Sequence, residues 1–186
     1  MPRNNKRKKT AKDLFEHLRT GPFDLNRGLG QVDWDAVVEE VRQNPKAAAK
    51  QYLFDAAIFV DIDKSYCCYP LHQAVWLGAP LSVIKVIYNS YPPAVKKRLL
   101  WTEFGIGDEN GHTVLHLALL NNATVELVSF LLDCWPDAIR TKNRVGDTPL
   151  QVACNHCVPL EVMSVLVEKY PEAIREENDG WRTPVD

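Results

Sequence analysis

The sequence predicts an all-α protein, a solenoid of stacked antiparallel helix pairs. The first observation behind this fold class is a repeated phrase: GHTVLHLA at 111–118 returns as GDTPLQVA at 146–153 and, more weakly, as YPLHQA at 69–74. The strong copies lie 35 residues apart, and the weak copy lies 44 residues before the first of them. A fixed period of this size is typical of repeat architectures.

A second phrase keeps the same register. PPAVK at 92–96, PDAIR at 136–140 and PEAIR at 171–175 are again 44 and 35 residues apart, and each follows an aromatic residue. A shorter form, PKA, stands at 45–47. Two phrases that share one register indicate a true repeat.

Between the two phrases lies a segment with the apolar spacing of a partly buried helix. Its apolar positions superpose under the same offsets: Leu81, Val83, Ile84, Val86 and Ile87; Val125, Leu127, Val128, Phe130 and Leu131; Leu160, Val162, Met163, Val165 and Leu166. Each unit is therefore predicted to contain two helices, the second more apolar than the first.

The residues of the first phrase have mechanical roles. Thr113 and Thr148 are predicted N-caps, and Pro149 fits the first helical turn, where its missing N–H costs nothing. The leucines at 71, 115 and 150 should enter the seam between helices, and the alanines at 74, 118 and 153 should let neighbouring units approach closely. The glycines at 111, 146 and 180 should form the tight turn that enters each unit.

These residues resemble the ankyrin repeat, a β-turn followed by two antiparallel helices with a Thr-Pro-Leu-His-x-Ala core. The resemblance covers residues 66–186 well and 31–65 weakly. The period of 35 exceeds the family's by about two residues, which we assign to a longer exit after the second helix. Gln151 replaces the signature His, Tyr69 replaces Thr, and Cys157 stands where Gly commonly turns; we expect these changes to weaken local hydrogen bonding.

The N-terminal third should cap the stack. We divide the chain into a basic disordered tail at 1–12, N-terminal helices with a degenerate capping repeat at 13–65, and the ankyrin repeat domain at 66–186. A short helix is predicted from Asp13, and a second at 33–43 with Asp33 as its N-cap. The Ala-rich residues 47–60 are predicted to be a further helix.

Charge is distributed unevenly along the chain. Residues 1–12 carry six basic and no acidic side chains, while the rest carries 16 basic against 24 acidic ones, a net charge of −8. No apolar run is long enough for a membrane span, and no secretory signal is visible. With five cysteines, an odd number, we expect reduced thiols and an intracellular protein, cytoplasmic or nuclear, without a membrane anchor.

The larger spacing of 44 residues locates a nine-residue insertion within 96–107. It contains Leu100, Trp101, Phe104 and Ile106. Two interpretations stay open: an aromatic finger that binds a partner, or apolar side chains that fold back and enlarge the core.

Residues 177–185 repeat the beginning of a further unit, with Thr183-Pro184 at the N-cap. This segment is either a short lid on the third unit or the start of a unit in a longer protein. An uncapped third unit would leave an apolar face in contact with water.

The only arrangement resembling a metal or redox site is Cys154-Asn155-His156-Cys157. A structural zinc site needs four ligands, and no second Cys-x-x-Cys pair exists, so buried thiols are the preferred interpretation. No phosphate loop, nucleophile elbow or catalytic carboxylate pair is visible. We therefore expect no enzymatic activity, no catalytic residues, no metal and no cofactor.

The resemblance implies a protein–protein interaction module, a scaffold or adaptor that binds a protein on its concave helix and turn surface. We expect a monomer. The candidate partner-binding residues are Trp76, Leu77, Leu120, Asn121, Arg144, Asn155 and His156, with Trp101 and Phe104 from the insertion; Trp76 could instead pack against the N-terminal cap. The alternative function is a nuclear nucleic-acid- or chromatin-associated factor that uses Lys6–Lys9 and the rest of the basic arm.

Overall fold

The computed structural model describes residues 14–18, 32–55, 65–101 and 111–184. Three full units follow one another, each a pair of helices. The first unit contains α3 (Pro70–Trp76) and α4 (Leu81–Ser90), the second α5 (Val114–Leu120) and α6 (Val125–Cys134), and the third α7 (Pro149–Asn155) and α8 (Leu160–Lys169). The predicted all-α ankyrin-type solenoid is confirmed.

A further pair of helices precedes these three units. It consists of α1 (Leu14–Leu18) and α2 (Trp34–Gln43), and the Asp33 carboxylate accepts the Ala36 N–H as the predicted N-cap of α2. Helix α1 packs against α3 and α2 against α4, so the two extend the inner and outer rows of helices. Leu14 and Leu18 are fully buried, and the Gln73 side-chain amide donates to Leu18 O at the end of α1.

The repeated Pro-x-Ala phrase forms a 3-10 helix after every outer helix. These short helices span Pro45–Ala49, Pro92–Lys96, Pro136–Arg140 and Pro171–Arg175, and proline occupies the first turn of each. In each of them the alanine two residues after the first proline is buried. The longer period of this chain therefore reflects a 3-10 turn added to the exit of the outer helix.

A small antiparallel sheet joins the N-terminal units and was not predicted. It contains β1 (Tyr52–Asp55), β2 (Ser65–Cys68) and β3 (Leu100–Trp101), with β2 in the middle. The predicted helix over 47–60 is wrong for its described part, because residues 47–49 belong to a 3-10 helix and 52–55 pair with β2. Residues 56–60 lie outside the described residues.

Two apolar clusters form the core. The first extends from α1 to α5 and α6, and the second from α5 to the 3-10 helix after α8. Helix α5 separates them, since Leu117 and Ala118 belong to the first cluster and Leu115 and Leu119 to the second. The predicted seam leucines and small alanines are all buried.

Left-handed backbone conformations recur at fixed positions in the units. Gly78, Asn122 and Cys157 occupy equivalent places between inner and outer helix, with φ of 72°, 50° and 51°. Cys157 therefore adopts the conformation for which the family uses glycine.

The three glycines predicted for the turns that enter the units differ in why the backbone needs glycine there. Gly146 has φ of 78°, whereas Gly111 is required by close approach, because a Cβ there would collide with the carbonyl of Leu99. The prediction for Gly180 is wrong: the left-handed residue of the last turn is Trp181, 35 residues after Gly146, with φ of 58°.

Candidate functional site

The signature position of each inner helix connects one unit to the next turn. His72 Nε2 lies 3.0 Å from Lys97 O, and His116 Nε2 lies 3.3 Å from Asp147 O. In the third unit Gln151 Nε2 donates to Glu176 O at 3.0 Å and to Arg182 O at 2.7 Å. These side chains are all buried, so they hold the stack together.

The expectation that Gln151 weakens local hydrogen bonding is wrong. Its amide oxygen accepts the Thr148 N–H at 2.8 Å, and Thr148 Oγ1 accepts the Gln151 N–H at 3.3 Å. This is the same capping box that Thr113 and His116 form. The glutamine adds a second donor bond because its –NH2 group carries two hydrogens and a neutral imidazole only one.

The first unit does lack this cap. Tyr69 makes no side-chain capping bond to α3, and Nδ1 of His72 is buried without a hydrogen-bond partner among the residues described. The Tyr69 ring instead stacks on Tyr91, with ring centroids 5.5 Å apart. A ring contact to the following 3-10 helix thus replaces the capping hydroxyl.

Burial keeps the seam histidines neutral. Desolvation lowers the pKa of His72 to about 4, and desolvation with the neighbouring His112 lowers the pKa of His116 to about 3. The pKa of His112 is lowered to about 4, chiefly by desolvation. The neutral His116 imidazole is occupied on both sides, by Thr113 in the capping box and by the Asp147 carbonyl, which supports a structural role.

The inner helices end in a row of side chains that do not enter the core fully. Trp76, Leu77 and Leu120 are half-buried, and they pack with one side against the first cluster. Asn155 and His156 continue the row in the third unit and are exposed. With Asn121, six of the predicted residues therefore form one strip along the ends of α3, α5 and α7.

Asn121 belongs to the same strip, but its side chain already has a structural task. Its Nδ2 donates to Trp76 O at 2.9 Å and to Val75 O at 3.4 Å, which caps the C-terminus of α3. A partner could contact Asn121 only beside these bonds.

Arg144 lies apart from this strip. It is exposed in the turn before α7, whereas Asn155 ends that helix of seven residues. The helix length separates the two by about 10 Å, at about 1.5 Å per residue. The structure thus divides the predicted site into the strip of helix ends and a turn tip.

The insertion residues are only partly described. The backbone of Trp101 pairs with Tyr66 at the end of β3, and Leu99 just before this strand is buried. Phe104 lies outside the described residues, as do the basic residues 1–12. Both interpretations of the insertion, a partner-binding finger and side chains that enlarge the core, therefore stay predictions.

All five cysteines are free thiols. No cluster of three or more His, Cys, Asp or Glu side chains that could hold a metal ion occurs in the part of the chain that the structure describes. Burial raises the pKa of Cys154, which also lines a groove formed by α7 and α8.

Comparison with known proteins decides the family. A family model for ankyrin repeats, in three copies, matches residues 71–177, more than half of the chain. The chain belongs to the ankyrin repeat family. Ankyrin repeats are generally protein–protein interaction modules, and they are typically non-enzymatic. A search of curated proteins gives no match.

The matched region begins in α3 and ends in the 3-10 helix region after α8. The match covers the three full units, and α1, α2 and β1 precede it. In the ranges 14–18, 32–55, 65–101 and 111–184, no helix has the length and apolar character needed to cross a bilayer.

Sequence reasoning missed two features of this ankyrin surface. Trp181 is 83% exposed in the last turn. Its position, one period of 35 residues after Gly146, is the sequence signal that could have identified it as a turn residue. The sheet was missed because β1 is recognisable only from its pairing with β2.

Proposed function

We propose that the ankyrin repeats of this protein form a non-enzymatic scaffold or adaptor that binds a protein partner along the strip of helix ends. The observation that supports this is the strip itself: half-buried or exposed side chains recur at the end of each inner helix, outside the seams that hold the stack. Trp76 and Leu120 provide apolar area in the first two units, and exposed Asn155 and His156 continue the strip with polar side chains in the third. An apolar centre with a polar rim is the usual composition of a protein interface.

Trp76 and Leu120 are the proposed anchors. Large aromatic and aliphatic side chains stabilise a complex by the apolar area that the partner removes from water, and a few such residues dominate the energy of most interfaces. Trp76 is also held in place, because the carbonyl at its position accepts the Asn121 amide. A pre-positioned anchor reduces the entropy lost on association.

The experiment is capture of partners by the immobilised full chain, with quantitative mass spectrometry. Asn155→Glu and His156→Glu test the exposed rim without touching the core, and Leu120→Ala tests the anchor. Asp133→Ala, an exposed change on α6, is the matched control. Circular dichroism confirms that each variant is folded.

We expect each rim variant to reduce capture of the same partner several-fold, while Asp133→Ala retains it. Capture that is equal in all folded variants would contradict the proposed surface. A chain lacking residues 1–12 distinguishes the alternative function: loss of salt-sensitive nucleic-acid binding with unchanged protein capture would assign that activity to the arm alone.

A further inference from the structure

The third unit carries an open apolar groove on the face that points away from the second unit. We call it the C-terminal groove. It has a volume of about 430 Å³. Leu160 is 71% exposed and Ile174 37% exposed, although both are large and apolar. The groove is formed by α7, α8 and the following 3-10 helix, and its main apolar lining is Leu150, Cys154, Leu160, Met163, Val167 and Ile174.

The internal repeat shows what covers this face elsewhere in the molecule. The residues of the second unit that correspond to Met163, Val167 and Ile174 are Val128, Leu132 and Ile139. All three are buried in the second cluster, where α8 packs along α6 and α7 packs against the 3-10 helix that carries Ile139. The C-terminal groove is thus the continuation of a helix–helix interface.

The edge of the groove is fixed before anything binds. Asn178 Oδ1 accepts the N–H groups of Gly180 and Arg182, as Asn143 Oδ1 accepts those of Val145 and Asp147 in the preceding turn. Gln151 also donates to Arg182 O, and this turn leads into Pro184, which lines the groove. Little ordering is needed on binding, which favours affinity.

The acidic side chains around the groove favour a partner with basic residues. Glu168 lines the groove, and Glu161 and Glu172 are exposed on the same helical elements, against Lys169 and Arg175. The chain after residue 12 is acidic overall as well. A basic flank on the partner would meet Glu168 and would be attracted by this excess of negative charge.

We infer that the C-terminal groove binds an amphipathic α-helix of a partner protein, with small aliphatic residues on one face and basic residues on the flank beside Glu168. The helix lies along α8 as α8 lies along α6. This is an interaction surface separate from the strip of helix ends. It binds a single helix by the packing that holds the repeats to each other.

The test uses the full chain and a fluorescent synthetic peptide of about 18 residues, long enough for appreciable helicity in water. The peptide carries Leu and Ala at i, i+3, i+4 and i+7, with Lys on the flanks. Two further peptides are a scrambled sequence of equal composition and one with Glu on the flanks. Fluorescence anisotropy gives the dissociation constants, and light scattering gives the oligomeric state of the protein.

We expect Leu160→Lys to weaken binding of the basic peptide by at least about tenfold. Ser82→Lys, which adds the same charge at an exposed site on α4, should leave binding unchanged, and Glu168→Lys should weaken it. The Glu-flanked and scrambled peptides should bind at least about tenfold less tightly. Asn155→Glu, on the strip of helix ends, should retain full binding, so the two surfaces can fail independently.

Three results would overturn the inference. The first is absence of binding to the wild-type chain, and the second is equal binding to wild type and Leu160→Lys. The third is a wild-type dimer that Leu160→Lys converts to monomer, which would assign the groove to a second copy of this chain.

Discussion

Three residues at equivalent positions show how the side chain determines the conformational strain of a left-handed backbone. Gly78, Asn122 and Cys157 all have positive φ between the two helices of a unit. Glycine has no Cβ to strain there, and asparagine tolerates this region, whereas other residues lose roughly 1–2 kcal/mol. The third unit therefore contains a strained turn that the first two avoid.

Replacing this cysteine should stabilise the protein. We expect Cys157→Gly to raise the free energy of unfolding by about 0.5–1 kcal/mol, because relief of the left-handed strain exceeds the entropy that glycine adds to the unfolded chain. Urea denaturation measures the change. Asn122→Gly is the matched control and should alter stability by less than about 0.5 kcal/mol; equal gains in both variants would show that strain at Cys157 is not the cause.

The seam histidines should make stability depend on pH. Burial places the pKa of His116 at about 3 in the folded protein, below the roughly 6.5 of an unfolded chain. The unfolded state therefore binds the extra proton, so stability is complete above about pH 6.5 and falls as the pH drops toward the folded-state pKa. His72 adds to the same trend.

His116→Gln tests this linkage with a residue that the chain already uses at the equivalent position, 151. Between about pH 6.5 and the folded-state pKa of about 3, the window set by the two pKa values, the slope of unfolding free energy against pH should decrease by up to about 1.4 kcal/mol per pH unit. Urea titrations at several pH values measure it. Parallel curves for wild type and variant would exclude His116 as a source of acid sensitivity.

At the scale of elements, the seam between α7 and the last turn depends on Gln151. Replacing it with the family's usual residue, Gln151→His, should cost about 0.5–1.5 kcal/mol, because an imidazole can serve only one of the carbonyls of Glu176 and Arg182. Consensus substitutions commonly stabilise, so the expected sign is the opposite of the usual one. The midpoint of urea denaturation reports the change, and a raised midpoint would show that the second bond contributes nothing.

Most elements could be predicted because their causes are local. The N-caps at Asp33, Thr113 and Thr148 and the periodicity of the outer helices mark helices within a short window, and the structure confirms them. Strand β1 could not be predicted in this way. The Ala-rich stretch before Tyr52 favours helix locally, and only pairing with the distant β2 makes residues 52–55 extended.

The candidate site was predictable in position but not in role. The repeat register placed Trp76, Leu120 and Asn155 at equivalent helix ends. It could not show that the Asn121 amide is occupied by the carbonyls of Val75 and Trp76, since those bonds cross between units. Contacts across a seam depend on the rotation between neighbouring units, which the spacing of residues along the chain does not define.

At the scale of the whole molecule, stability should decrease toward the C-terminal end. The second cluster is open along the C-terminal groove. At the other end of the stack, α1 covers α3 and α2 covers α4. In a solenoid each unit contacts only its neighbours, so a unit whose apolar face is open along a groove should open more readily than a unit covered on both sides.

Hydrogen exchange measured by mass spectrometry checks this order. Amides of α7 and α8 should exchange faster than those of α3 and α4. Leu166→Ala, at a fully buried position of α8, should remove about 2–5 kcal/mol of stability locally while α3 and α4 retain their protection. Equal loss of protection along the chain would show that the two clusters unfold as one unit.

The sheet described above also gives the molecule uneven stiffness. Backbone pairing along β1, β2 and β3 joins three successive segments through a continuous ladder, whereas the turn after α6 is reached by separate side-chain bonds, from His116 to the Asp147 carbonyl and from Arg98 to the Lys142 carbonyl. Under a bending load the rigid N-terminal portion would keep its curvature, and the strain would concentrate at the seams after α5. A partner that grips both ends of the solenoid would therefore change its curvature mainly in the C-terminal half.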